Sequence, residues 1–587
     1  MVKPIRLLAV ICGLSLLLTA TAQSPETVDT KVIDRIIAAE KTSQVMDIAG
    51  VLTNTYGARL TNSASVKAAG EYARKKLVEW QLANVRLETF NFGNGWTNDK
   101  FSMKLVNEPT VTFLAYSKPW TVGTNGPVTG EVVEGVRSQA DLTRMKGKLR
   151  GKFVLVLPAP APPPDAPATI QRFTDAQLAQ LASAAPAQPA TNPPAAAPAA
   201  GQPVPPVPAP AGQPQRGERG ERGERGEGTE PPAAEAGFFA WIETALSAAP
   251  AQPTNARAAA PAANTGMPSR SAVTRFYFDE GVAGMIEPAP VRNGAILAIT
   301  DTGETVPWKK DPTLTKTPTQ IVLGLEDYIK LEGRVKESSP VSLQVDIKNT
   351  YQNMDQTAFN VVGEIKGTDK ATELVVVGAH LDTVHLGKGA TDNAAGVAVV
   401  MEAVRLLKVL ALPMRRTVQI GLWTGEEQGV LGSMAFVDKY FFQRPIRQLR
   451  AGHAKLSVYF NVDNGTGAIR GVNLQGNTQI KPIFEAWMAP FKSMGMTTLS
   501  DRSVGSTDHI SFDNIGLPGF QFIQDPIQYD SLTHHTDKDT FDRLQKDDLM
   551  KNAAIVASWV YLAANRPEML PRKPLPAGVY PAGSPVP

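Results

Sequence analysis

Six histidines are scattered over 587 residues, and three of them stand beside or among carboxylates at the ends of apolar runs. ELVVVGA (373–379) leads into His380 and Asp382, and TVQIGLW (417–423) leads into Glu426 and Glu427. LSVYFNV (456–462) leads into Asp463, and GFQFI (519–523) leads through a polar stretch into His534 and His535. A further acid, Asp392, opens a helical stretch in TDNAAG (391–396). Imidazole nitrogens mixed with carboxylate oxygens suit zinc. More carboxylates than one ion needs point to two ions sharing a bridging ligand, about 3.5–4 Å apart. An isolated HxD or EE pair is an ordinary loop feature, so the weight rests on the ordered set.

Such a set works only if the elements bring it to one place. Between 318 and 564, continuous apolar runs alternate with helical stretches such as AAGVAVVMEAVRLLKVL (394–410) and MKNAAIVASWVYLAA (550–564). Buried strands separated by helices predict an α/β fold whose mixed, largely parallel central sheet is flanked by helices. Ligand sites of such sheets lie beyond the carboxyl ends of the strands, where these polar clusters fall. Residues 23–110 begin helix, helix, strand and are expected to belong to the same domain. Short β-like pieces at 111–157 and 282–300 predict a β-rich module inserted over 111–317. It is interrupted at 158–270 by Pro, Ala, Gln and Gly, too little apolar surface to offset ordering entropy, so this stretch is expected to be disordered. Within it, RGERGERGERGEG (216–228) has a collagen-like glycine period but too few repeats and no imino acids, and reads as a solvated linker. AGFFAWIETALSAA (236–249) reads as a short helix or an interaction patch. The Pro-rich tail at 571–587 is expected to be disordered.

Lys and Arg number 59 against 56 Asp and Glu, so no global field recruits nucleic acid or anionic lipid. Residues 1–22 carry Lys3 and Arg6, an apolar run and Ala20-Thr21-Ala22, the pattern of a cleaved signal peptide. Their apolar run is short of the roughly 20 residues needed to span a bilayer. A secreted or periplasmic protein without stable membrane insertion is expected. The sole cysteine, Cys12, lies in that segment, which excludes cysteine chemistry in the mature chain.

GAHLDTV, TDNAAG, WTGEEQGVLGS, NVDN and HHTDKDT occur in order, and together they resemble the metal-site motifs of peptidase family M28, exopeptidases with a co-catalytic zinc pair. WTGEEQG, THHTDKD and AANRPEMLPR are similar to its carboxypeptidase Q group, and the module at 111–317 resembles a protease-associated domain. The resemblance implies a zinc-exopeptidase fold of the phosphorylase/hydrolase-like type, two zinc ions and hydrolysis of terminal peptide bonds in short peptides, as an aminopeptidase or a dipeptidase. It implies that His380 and Asp463 hold one zinc, Glu427 and His535 the other, and that Asp392 bridges them through a residue whose bond to Asn393 is cis. Glu426 becomes the general base. Adjacent residues leaving a strand point to different sides, so the two glutamates can divide these tasks. Asp382 would accept a hydrogen bond from the His380 imidazole. His534 replaces a tyrosine of many relatives and would face substrate as an oxyanion donor. Asp508 and His509, in a family-like SDH pattern, would line the substrate pocket.

His385 and His453 have no acid cluster of their own and are expected at the surface. Peptides are the expected partners, and a second copy of the chain is a candidate. HExxH, GxSxG and Walker A patterns are absent, and GTGAIRG (465–471) only approximates a dinucleotide loop. Two rival readings share the scaffold: a glutaminyl cyclase-like acyltransferase and a non-catalytic binding protein. The complete ligand set with a base favours the hydrolase.

Overall fold

Val375, Val376 and Val377 are each fully buried, and they face two different cores. Because side chains alternate along a strand, Val375 and Val377 join the core formed with the helices Ala395–Val409 and Lys546–Asn565, while Val376 packs with Trp423, Phe436, Tyr459 and Phe512. Burying one such side chain is worth about 1.5–3 kcal/mol, so a strand apolar on both faces is stable only inside a helix–sheet–helix sandwich. The computed structural model describes residues 26–159, 170–184 and 268–584, apart from short gaps at 290, 293, 304–305, 311–316, 338–339 and 353. The expected signal peptide, with Cys12, and the 216–228 and 236–249 stretches lie outside the described residues.

The main sheet has eight strands, in the order Ala83–Asn91, Thr357–Ile365, Arg416–Trp423, Lys370–His380, Leu456–Asn461, Gly519–Gln524, Ile469–Asn473, Thr498–Ser500. Its four central members, Arg416–Trp423 to Gly519–Gln524, run parallel, and antiparallel pairs flank them on either side. These four are the strands whose carboxyl ends carry the chemical residues. All four clusters therefore emerge side by side on one edge.

A second sheet of seven strands has the order Gly95–Leu105, Ser342–Gln352, Val128–Glu134, Phe153–Leu155, Gly284–Ala289, Gln320–Gly324, Ala115–Ser117. It is wider than the module expected over 111–317, because Gly95–Leu105 and Ser342–Gln352 pair antiparallel along their whole length. That pairing joins segments about 250 residues apart, and no local pattern announces it.

Two stretches expected to be disordered are in part built into the fold. Residues 170–184 carry a helix, Asp175–Ser183, with a Thr174/Gln177 capping box, and Gln171 bridges to Ile527 of the main domain. Arg172 adds ion pairs to Asp525 and Asp548, at 2.9 and 2.8 Å. The tail is ordered to Ser584: Tyr580 receives the Leu449 amide, and Arg572 donates to the carbonyls of His453 and Leu456. Composition hid both, because a few charge-assisted contacts anchor segments poor in apolar residues. Among the described residues, no helix is long and apolar enough to cross a membrane.

Candidate metal centre and catalytic site

Asp392 lies where the chain enters the helix Ala395–Val409, at a cis Asp392–Asn393 peptide. Gly396 allows this entry, since a Cβ there would collide with the Val462 carbonyl and the Asn393 side chain. The buried Asp392 carboxylate touches an imidazole through each oxygen: Oδ1 is 3.2 Å from His380 Nε2, and Oδ2 is 3.2 Å from His535 Nε2. Each imidazole meets one further carboxylate. His380 Nε2 is 3.3 Å from Asp463 Oδ1, and His535 Nε2 is 2.9 Å from Glu427 Oε2. Two half-sites thus share one carboxylate.

Surrounding groups fix each of these side chains. His380 Nδ1 is 3.0 Å from the Asp382 backbone carbonyl, which orients Nε2 toward Asp392. The Asp382 carboxylate was expected in that role but stands 3.7 Å away. It is engaged instead by the Thr61 hydroxyl at 2.7 Å and by the amides of Glu426 and Glu427 at 3.3 and 3.4 Å. It therefore shapes the turn that presents the two glutamates. Glu427 Oε1 accepts from the Val384 amide at 3.0 Å, leaving Oε2 for the centre.

Sequence reasoning missed three further residues that support the site. Asp539 is buried and accepts from the amides of Thr391 and Asp392, at 2.6 and 3.0 Å. Burial and the neighbouring Asp392 push its pKa up to about 7. Arg59 is wholly buried and donates to the carbonyls of Leu52, Gly57, Leu381, Lys388 and Gly389. Burial lowers its pKa to about 10, and Asp539, Asp382, Asp392 and Glu427 counter this as its nearest charges. Arg59 is the fixed cation behind the acidic cluster. Tyr529 stacks on His534 at 4.7 Å with its ring nearly parallel. Arg59 and Tyr529 carry no local signal, whereas Asp539 is the second acid of the HHTDKDT motif and could have been flagged from it.

The electrostatics fit bound cations. Burial disfavours charge throughout, yet His380 and His535 are raised well above the ordinary imidazole value by Asp463, Glu426, Glu427, Asp382 and Asp392. Asp392 stays well below the usual carboxylate range despite its burial, because the two imidazoles face it. The carboxylates thus demand positive charge. Metal ions would meet that demand while the imidazoles bind as neutral ligands. His380, Asp392 and Glu427 have ligand atoms within 4.8 Å of one another, as do Asp392, His534 and His535.

Glu426 neighbours this cluster, and burial with Asp463, Asp508 and Glu427 pushes it well above the carboxylate range, against His380. His534 Nε2 is 3.9 Å from Asp392 Oδ2, and its ring is 4.1 Å from that of His535. Asp508 and His509, expected to line the pocket, are completely buried. His509 Nε2 lies 2.9 Å from the Val504 carbonyl, and burial with nearby acids lifts Asp508 to about 8. The short helix His509–Asp513 packs through Phe512 into the core with Trp423, Phe436 and Tyr459. Neither of the remaining histidines is exposed, though His385 is only half-buried. His385 has both ring nitrogens shielded from solvent between Trp96 and Tyr116, and His453 is buried with its Nε2 2.9 Å from the Ile515 carbonyl.

Residues 360–560 match the sequence profile of peptidase family M28. Carboxypeptidase Q of Rattus norvegicus is 31% identical over 258 residues, 44% of this chain and 52% of that protein. Aminopeptidase YwaD of Bacillus subtilis is 28% identical over 219 residues, 36% of this chain and 46% of its own. The chain thus spans about half the length of the curated relatives it matches. A peptidase M28 precursor from Shewanella amazonensis shares the fold at a TM-score of 0.56, with 20% identity over 93% of this chain and 98% of that one. All five residues expected as metal ligands fall inside the matched span. Residues 360–560 are thus similar to peptidase family M28, and 258 residues of the chain are similar to carboxypeptidase Q.

Proposed function

We propose that this chain is a secreted or periplasmic metallo-exopeptidase that hydrolyses the terminal peptide bonds of short peptides at a two-zinc centre. The observation that carries this reading is Asp392, whose two oxygens face two imidazoles that each own a second carboxylate. His380 and Asp463 would hold one zinc, His535 and Glu427 the other, with Asp392 between them. When bound, zinc supplies Lewis-acid chemistry, polarising the scissile carbonyl and lowering the pKa of water. Glu426 takes the proton of the attacking water on its carboxylate and returns it to the leaving amine. His534, at the open side of the centre, donates an imidazole N–H to the developing oxyanion. The second sheet is read as a protease-associated domain.

The test is metal analysis of the purified full chain together with a substrate panel of aminoacyl-nitroanilides, N-blocked peptides, free dipeptides and an N-terminal glutamine peptide. Two zincs per chain and chelator-sensitive hydrolysis of nitroanilides or dipeptides are expected. Cleavage of nitroanilides alone indicates an aminopeptidase, and cleavage of dipeptides alone a dipeptidase. Pyroglutamate formation without hydrolysis, or zinc binding without any turnover, would overturn the peptidase reading.

A further inference from the structure

His535 has a left-handed backbone, with φ +59°. A residue other than glycine is uncommon there and is held by its surroundings. Some of the restraint is local: the His534 amide donates to Tyr529, and the Thr536 amide donates to Thr533. The rest comes from the second sheet's domain. The Ala298 amide donates to the His535 carbonyl at 2.8 Å. The Asp537 amide donates to the Ile296 carbonyl at 3.2 Å, and the Asp537 carboxylate accepts from the Ile296 amide at 2.9 Å. These bonds hold the His535 carbonyl and the chain two residues beyond it, and they join segments about 240 residues apart.

The bracing segment is itself held from behind. The Tyr116 hydroxyl donates to the Leu297 carbonyl and accepts from the Ile299 amide, both at 2.7 Å. Tyr116 and Ile296 share a buried apolar cluster with Ala289 and Val322. A separate tie restrains the start of the same loop, where Gln171 and Ile527 exchange amide hydrogen bonds at 2.9 and 2.7 Å.

We propose that Ile296, Leu297 and Ala298, backed by Tyr116 and locked by Asp537, form a cross-domain brace that fixes the orientation of the ligand His535. The inserted domain would then be part of the metal centre's construction, and Asp537 a positioning residue. The proposal rests on the reading of His535 as a zinc ligand. Partners that orient metal ligands typically change metal affinity 10–100-fold when removed.

The test uses the full chain as wild type, Asp537→Ala, Asp537→Asn and Tyr116→Phe, titrated against a chromogenic zinc chelator, with kcat, KM and metal-free melting temperature measured in parallel. Asp537→Ala is expected to weaken one of the two zincs at least tenfold and to lower kcat more than it raises KM. Asp537→Asn retains an oxygen for the Ile296 amide and should recover most of the affinity. Tyr116→Phe changes no residue of the His535 loop; it should shift the same zinc in the same direction and decides the matter if Asp537→Ala fails to fold. Wild-type zinc affinity in both Asp537→Ala and Tyr116→Phe would overturn the brace, as would Asp537→Asn behaving like the alanine variant. A wild-type chain that takes up no zinc would instead overturn the two-zinc reading beneath it.

Discussion

One carboxylate placed between two imidazoles explains why the neighbouring glutamates can differ in role. Glu427 spends one oxygen on the Val384 amide and the other on His535, so both of its oxygens are engaged. Glu426 enters the site from the same turn, held through its backbone: its amide donates to Asp382, and its carbonyl accepts from the amides of Gly429 and Val430. Its side chain is thus the one left to carry a proton. For Glu426→Gln, zinc content and melting temperature should match wild type while kcat falls by roughly 100-fold or more, the usual scale for loss of a general base. Steady-state kinetics beside metal analysis will decide it: native turnover would remove Glu426 from the chemistry, and lost zinc would make it a ligand.

The docked tail shows how one connecting segment can impose a pH dependence. His453 lies at the start of the strand Leu456–Asn461, its Nε2 facing the Ile515 carbonyl and its Nδ1 3.2 Å from the Arg572 guanidinium. Nδ1 must therefore stay unprotonated to accept from Arg572. Burial, with Arg572 adding to it and the Ile515 bond opposing, lowers the His453 pKa to about 4. The unfolded chain binds that proton near pH 6.5. Stability from this group is thus complete above about pH 6.5, is lost as pH falls toward 4, and changes no further below that. The integrated loss is about 3.5 kcal/mol, on the order of 1.4 kcal/mol per pKa unit. Urea unfolding at pH 7.5, 6 and 5 should show a shallower pH slope for His453→Gln than for wild type; equal slopes would mean His453 does not titrate on unfolding. Nothing near RAGHAKLS foretells this, because the tail that buries His453 arrives from more than 100 residues away. The strands that lead to His380, Glu427 and Asp463 were legible for the opposite reason, since burial on both faces leaves a continuous apolar signature in the local sequence. Arg59 was illegible, as its carbonyl partners Leu381, Lys388 and Gly389 lie over 300 residues ahead.

The insertion of one domain into another sets a mechanical question that zinc can answer. The chain leaves the main sheet at Asn91 and re-enters at Thr357, which are paired neighbours, so covalent connection alone gives the second sheet a narrow two-strand stalk. The aromatic cluster of Phe92, Trp96, Trp120 and Trp308 stiffens that stalk. The contact of Ile296 and Ala298 with the His535 loop is a further attachment, away from the stalk in sequence and located at the candidate metal centre. If zinc holds His535, any local opening that frees the loop must also give up zinc. At a free zinc concentration 100 times Kd, that adds about 2.7 kcal/mol to the opening, or roughly 100-fold slower exchange of the amides that open with it. The Ala298 amide reports on this across the domain boundary, because its acceptor is the His535 carbonyl. Hydrogen exchange followed with and without zinc should therefore show slowing at residues 296–298 as well as at 525–539, with little change at the far edge of the second sheet near Lys100. Slowing confined to 525–539 would mean that the two domains open independently and that the ligand loop is held by the peptidase domain alone.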